Sequence, residues 1–249
     1  MWAFNSQCDE FYVGTRLFFK LELSPSRETL LHFFDQVRRT YPGMARFRRR
    51  EDGAVILDEG ANEEGHRRYL RLDAAALRFG HLSPPSRDVV LEFGELILTH
   101  SPYHLSLSEL DYDSLEVAFG FDLEYCGNHD ELVAETLLGD SPLQTVLLGR
   151  GGRVIDCQPC LGVALSEDCA TQLYLDIRGR TSMYELRSGE YEPQCLSVHL
   201  TLRRYFRGAA PGDLTGNHRE LVTLGEALVA GRVVPQVVQP LREAIASRR

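Results

Sequence analysis

The sequence predicts an α+β fold: antiparallel-rich sheets with helices packed on one face, in two related halves built from repeated strand-to-helix units. Three observations predict it. Three long stretches alternate apolar and polar residues with the period of a half-buried strand. Each of them runs into a helical pattern. The helical patterns also share letters at their starts.

Over residues 11–23, Val13, Thr15, Leu17, Phe19, Leu21 and Leu23 share one face, while Arg16, Lys20 and Glu22 take the other and Phe18 breaks the pattern. The helix expected next is SPSRETLLHFFDQVRRTY. Residues 45–50 and 54–58 flank Asp52-Gly53, a hairpin turn because both residues tolerate positive φ. Strands over 67–73 and 76–81 extend this set, and a helix is expected over 87–100. Residues 101–113, where Pro102 and a polar run interrupt the periodicity, mark the boundary between an N-terminal half, 1–105, and a C-terminal half, 106–249, or a bend within one continuous domain.

In the second half, Leu115, Val117, Phe119, Phe121 and Leu123 alternate with Glu116, Ala118, Gly120, Asp122 and Glu124, and GNHDELVAETLL follows. Strands over 154–165, 171–177 and 183–186 then form a meander. Leu196, Val198, Leu200 and Leu202 alternate with Ser197, His199, Thr201 and Arg203 before GNHRELVTLGEALVAG. A last helix is expected over 233–247, interrupted or delimited by Pro235 and Pro240. Phe19-x-Leu21-Glu22 and Phe121-x-Leu123-Glu124 match at an offset of 102, and the two heptapeptides at an offset of 89, which points to an internal duplication.

Composition narrows the function. Charged residues make up 25% and hydrophobic residues 43% of the 249 residues, as in an ordinary globular chain. The first residues lack a basic segment followed by an apolar one, and no apolar run approaches a membrane span, so a cytoplasmic protein with no membrane partner is expected. Six cysteines are too few for a disulfide scaffold of this length and read as free thiols. A net charge of −9 argues against nucleic acid. Lys20 is the only lysine among 27 basic residues, a bias that fits a high-GC bacterial genome.

The strongest-looking motif is the pair GNHDELV and GNHRELV. Asn is a good N-cap, and a Glu three residues on completes a capping box. Asn128 with Glu131 and Asn217 with Glu220 are therefore read as two helix starts, with His129 and His218 exposed at the first helical positions. A zinc site is the rival reading, because Cys126-Gly-Asn-His129 and Cys157-Gln-Pro-Cys160 spell CxxH and CxxC. Against it, residues three apart on a strand point to opposite faces, and no cysteine precedes His218 at that spacing. CQPC as a redox pair needs a helix after its first cysteine, and a strand pattern follows instead. GRGGR at 149–153 lacks the residues of a phosphate loop and reads as a turn. The acidic residues Glu109, Asp111, Asp113 and Glu116 lack the spacing of a calcium loop.

Arg38, Arg39, Arg46, Arg48, Arg49, Arg50, Arg67, Arg68 and Arg71 are interleaved with acids, which predicts a salt-bridged surface. If the three repeated strands share a sheet, their non-core faces gather Arg16, Lys20, Glu22, Glu116, Asp122, Glu124, His199 and Arg203. Of these, Arg16, Glu22, Glu124, His199 and Arg203 are the candidate ligand-binding residues.

No catalytic set assembles from these patterns. The leading reading is a non-catalytic binding protein for a partner protein or for itself as a homodimer, with no cofactor and no resident metal. The alternative is an enzyme or small-ligand protein with His199 as acid/base and Glu124 or Glu22 as its carboxylate partner. The zinc protein is the third.

Overall fold

A computed structural model describes residues 2–23, 25–60, 65–139, 141–142, 152–206 and 212–248. The expected α+β class is what these residues form. Nine strands make one antiparallel sheet: β1 (Glu10–Phe19), β2 (Arg46–Arg49), β3 (Val55–Asp58), β4 (Arg67–Leu72), β5 (Ala76–Leu82), β6 (Tyr112–Tyr125), β7 (Cys160–Ala164), β8 (Thr171–Arg178) and β9 (Gln194–Tyr205). Their order across the sheet is β2-β3-β4-β5-β1-β6-β9-β8-β7. The β1–β6 ladder lies at its centre and joins residues on either side of position 105.

The alternation in the sequence places the core. Phe11, Val13, Thr15, Leu17 and Phe19 of β1, Leu115 to Leu123 of β6 at every second residue, and Leu196 to Leu202 of β9 are buried on one face. Five helices pack there, α1 (Arg27–Thr40), α2 (Arg87–His104), α3 (His129–Leu138), α5 (Leu214–Leu228) and α6 (Gln239–Ala246), while the short α4 (Met183–Ser188) contributes no residue to the core cluster. Phe33, Phe93, Ile97, Leu132, Leu221 and Leu241 join the same apolar cluster as the strands.

Several boundaries differ from those read in the sequence. β1 stops at Phe19, so Leu21 is 71% exposed rather than core. The strand expected over 154–165 is confined to Cys160–Ala164. Residues 183–186 are helical: Ser182 caps Glu185 N–H while the Glu185 carboxylate accepts from Ser182 N–H, and Gly189 ends the helix in the left-handed region. That local capping overrides the short strand-like pattern. Helix α2 runs through Pro102 to His104.

The C-terminal prolines interrupt the α-register without ending the helix, with Pro235 inside a π-stretch and Pro240 in the first turn of α6. From Leu214 to Ala246 the helix is continuous over 33 residues, and an 18-residue window within it has a mean hydropathy of 1.4. Between α5 and α6 it widens into a π-register over Val229–Val238, the stretch that holds Gly231 and Pro235. By length and composition this helix is apolar enough to cross a membrane, but Leu221, Val222, Val229, Val238 and Leu241 are spent in the core of the fold, as in the core helix of a globular protein.

The two heptapeptides have separate fates. Asn128 caps α3 as expected, accepting from the N–H groups of Asp130 and Glu131. The second helix begins at Leu214, so GNHRELV lies inside it and Asn217 is not a cap. Both histidines are 1% exposed, which corrects the exposed placement read from the sequence.

Candidate functional site

Because side chains alternate, the face opposite the helices carries Glu10, Tyr12, Gly14, Arg16 and Phe18 of β1. Ser114, Glu116, Ala118, Gly120 and Asp122 of β6 lie beside them, followed by Ser197, His199, Thr201, Arg203 and Tyr205 of β9. Four of the five predicted site residues, Arg16, Glu124, His199 and Arg203, therefore do share a sheet face, although Glu124 stands at its far end. Arg16 and Arg203 converge on Glu116, which is 2% exposed. Arg16 Nη1 lies 3.3 Å from its carboxylate, and Arg203 donates to it through Nε at 2.9 Å and through Nη2. The guanidinium of Arg203 also lies over Phe18, Tyr174 and Tyr205, with Tyr205 Oη accepting at 3.1 Å.

His199 belongs to a second cluster, four residues and so about 13 Å along the strand from Arg203. Its Nε2 is 2.7 Å from Tyr12 Oη, although β6 separates the two strands. The residue between them is Gly120, paired to Tyr12 on one side and His199 on the other. A Cβ there would lie 2.2 Å from the Tyr12 ring, so only glycine lets the tyrosine lie down across β6 and reach the histidine. Burial lowers the His199 pKa, with Asp122 opposing, and burial and then Asp122 raise that of Tyr12. Both groups are held neutral near pH 7. Asp122 accepts from Ser197 Oγ at 2.6 Å, and Arg178 Nε pairs with Asp176 at 2.5 Å.

The two predicted carboxylate partners of His199 are elsewhere. Glu22 lies beyond the end of β1 and is exposed; Glu124 sits at the far end of β6, opposite Cys195. Asp122 and Asp176 are the carboxylates near the histidine, because strand pairing rather than sequence spacing decides proximity. Tyr12 was missed altogether. The signal for it was Gly120 inside an otherwise bulky strand, which marks a place where another group approaches closely.

Cross-strand pairing aligns Arg48, Ile56, Arg71, Arg78, Arg16, Glu116 and Arg203 in sequence across seven strands. Like charges set directly opposite each other oppose folding. Arg71 and Arg78 share Asp73 at 3.6 and 3.2 Å, and Arg71 also reaches Asp52 at 2.8 Å. The buried Nε atoms of both arginines have no hydrogen-bond partner among the described residues. On β1 to β5 this face carries six arginines (Arg16, Arg46, Arg48, Arg67, Arg71, Arg78) against two strand carboxylates (Glu10, Asp58), while the chain as a whole is at −9. The expected salt-bridging is present, with Arg46 and Arg48 on Asp58, Arg67 on Glu10, Arg71 on Asp52 and Asp73, Arg78 on Asp73 and Arg16 on Glu116, so the six arginines share five carboxylates.

The zinc reading fails on geometry. No group of three possible ligands forms among the described residues. His129 Nε2 bonds Tyr125 O at 3.2 Å, and its Nδ1 accepts from Arg180 N–H at 3.2 Å, so neither nitrogen is open to a metal. Cys157 is buried with its thiol pKa raised by desolvation, whereas Cys160 is exposed at the start of edge strand β7. Instead the first heptapeptide clamps loops. Asn128 Nδ2 donates to Val154 O at 2.8 Å, Asp130 accepts from Cys157 N–H at 2.8 Å, and His129 N–H donates to Thr181 Oγ1 at 2.8 Å. In the acidic stretch, Asp111 holds Ser108 and Glu116 holds the arginines. Most of GRGGR lies outside the described residues.

No family model matches this chain, and no curated protein matches its sequence.

Proposed function

We propose that this is a non-catalytic binding protein whose open, arginine-rich sheet face docks an acidic partner protein. The observation that supports the reading is the row from Arg48 to Arg16, where strand pairing sets Arg71, Arg78 and Arg16 directly opposite one another on three neighbouring strands. Aligned like charges reduce stability unless anions offset them, and a carboxylate-bearing surface supplies such anions. Tyr12 with His199, Ser197 with Asp122 and Arg203 with Glu116 are bonded to one another, which suits a docking surface better than a reaction centre. All six cysteines are free, as suits the reducing cytoplasm.

The test is site-specific photo-crosslinking in cells, from position 48 on the open face and from position 224 on the helix side as control. Capture of one discrete acidic protein from position 48, lost when Arg67 and Arg78 are both changed to Glu, is the expected outcome. Equal capture from position 224, or capture indifferent to the charge reversals, overturns the proposal. Sedimentation of the purified protein distinguishes a second copy from a different partner.

A second reading rests on the Tyr12–His199 pair alone, a neutral acid/base couple 2.7 Å apart. Any turnover assigned to it must be lost in both Tyr12→Phe and His199→Asn; an activity surviving either change removes it.

A further inference from the structure

On the helix side of the sheet, at its β2 edge, a slot of about 400 Å³ opens between the first turns of α1 and the β2–β3–β4 end of the sheet. The size falls within the roughly 300–1,000 Å³ of small-molecule sites. Its floor is apolar and fixed: Val55 and Leu72 are buried and paired across β3 and β4. Leu30 and Leu31 form the α1 wall, and Phe47 forms the opposite wall. The Phe47 ring is held edge-on against Phe34 at 5.7 Å, yet Phe47 is 50% and Leu31 44% exposed. Two large, partly exposed apolar side chains thus line the same slot.

Four charged residues line this slot, and they divide sharply. Asp52 accepts from Ala54 N–H and pairs with Arg71; Asp73 accepts from Ala75 and Ala76 N–H and pairs with Arg78. Both acids are committed to the protein. Arg27 and Arg49, on opposite walls, form no ion pair among the described residues. The slot therefore combines an apolar trough with two uncommitted cations at its rim.

We propose that this slot binds a small anionic amphiphile, a medium-length acyl chain lying between Leu31 and Phe47 with its carboxylate between Arg27 and Arg49. A planar guanidinium recognises a carboxylate by paired N–H donation, and the trough removes the chain from water. This site is separate from the open sheet face and stands or falls apart from it.

The experiment titrates isotope-labelled full-length protein with octanoate, octylammonium and 1-octanol, following backbone amide shifts. Saturable octanoate binding that moves the Gly53 and Ala74 amides, at least tenfold tighter than octylammonium, is expected. The Arg27→Gln/Arg49→Gln variant weakens octanoate about tenfold and leaves octanol unchanged. Ala74→Phe, at an exposed position, blocks all three ligands. The proposal is overturned by the absence of saturable binding, by shifts centred elsewhere, by equal binding of octylammonium, or by a double variant that binds as tightly as the parent. Uptake of an acidic peptide in this slot with no response to octanoate also overturns it.

Discussion

Residues 127–133 and 216–222 agree in six of seven letters and do different work. In the first, Asn128 is an N-cap and its neighbours hold two loops, those at Val154–Cys157 and Arg180–Thr181. In the second, the helix has already started at Leu214, and Asn217 turns back to Asp213 O while accepting from Arg204. The histidines diverge as well. His129 bonds backbone groups of its surroundings, whereas His218 is sunk between α2 and the sheet, 3.0 Å from Thr15 Oγ1 and beside the Phe79 ring. A short repeat thus specifies helix-forming letters, and what precedes it decides which of them caps.

The difference can be broken most severely at the glycines that receive the histidines. A Cβ on Gly94 would lie 2.2 Å from the His218 ring, whereas one on Gly179 would lie 3.1 Å from the His129 Cβ. Gly94→Ala is expected to cost about 3 kcal/mol and Gly179→Ala about 1 kcal/mol, read from urea unfolding. Equal losses would show that the two histidines are packed alike.

Acid sharpens the comparison. Burial pushes the His218 pKa down to about 4, against about 6.5 when unfolded. The unfolded chain takes up the proton first, so this contribution is intact above pH 6.5 and is lost as the pH falls towards 4. The slope is about 1.4 kcal/mol per pH unit. In His218→Gln that part of the slope disappears from unfolding curves measured between pH 6.5 and 5. His81, pushed down to about 2 by burial, keeps its own slope in the variant.

The smallest effects separate the asparagines. Asn128→Ala removes a cap and is expected to cost about 1 kcal/mol or somewhat more, since Val154 O also loses its donor. Asn217→Ala, inside a helix and partly exposed, is expected to stay within about 0.5 kcal/mol in the same assay. Reversal of that order would restore the symmetric reading of the repeat.

Much of the fold was legible because its signals are local. Alternation in β1, β6 and β9, the Asp52-Gly53 turn and the Asn128 cap each depend on residues within a few positions. Residues 183–186 were misread because four residues of strand-like composition weigh less than the Ser182–Glu185 capping box around them. The site was legible in part. Arg16, His199 and Arg203 were placed on a common face by parity alone, while Glu22 and Glu124 obeyed the same parity and fell outside the cluster.

By itself the sequence determined which residues alternate, where most strands and helices form and which strand positions turn away from the core, since those follow from bonding between near neighbours along the chain. Only the tertiary structure decided that Tyr12 meets His199 across 187 residues, that Arg16, Arg78 and Arg71 stand in one row, and that His218 is buried while Asn217 caps nothing. The reason is physical. Register between strands and the start of a helix are settled by contacts with segments far away in sequence, and seven identical or nearly identical letters carry no information about those segments.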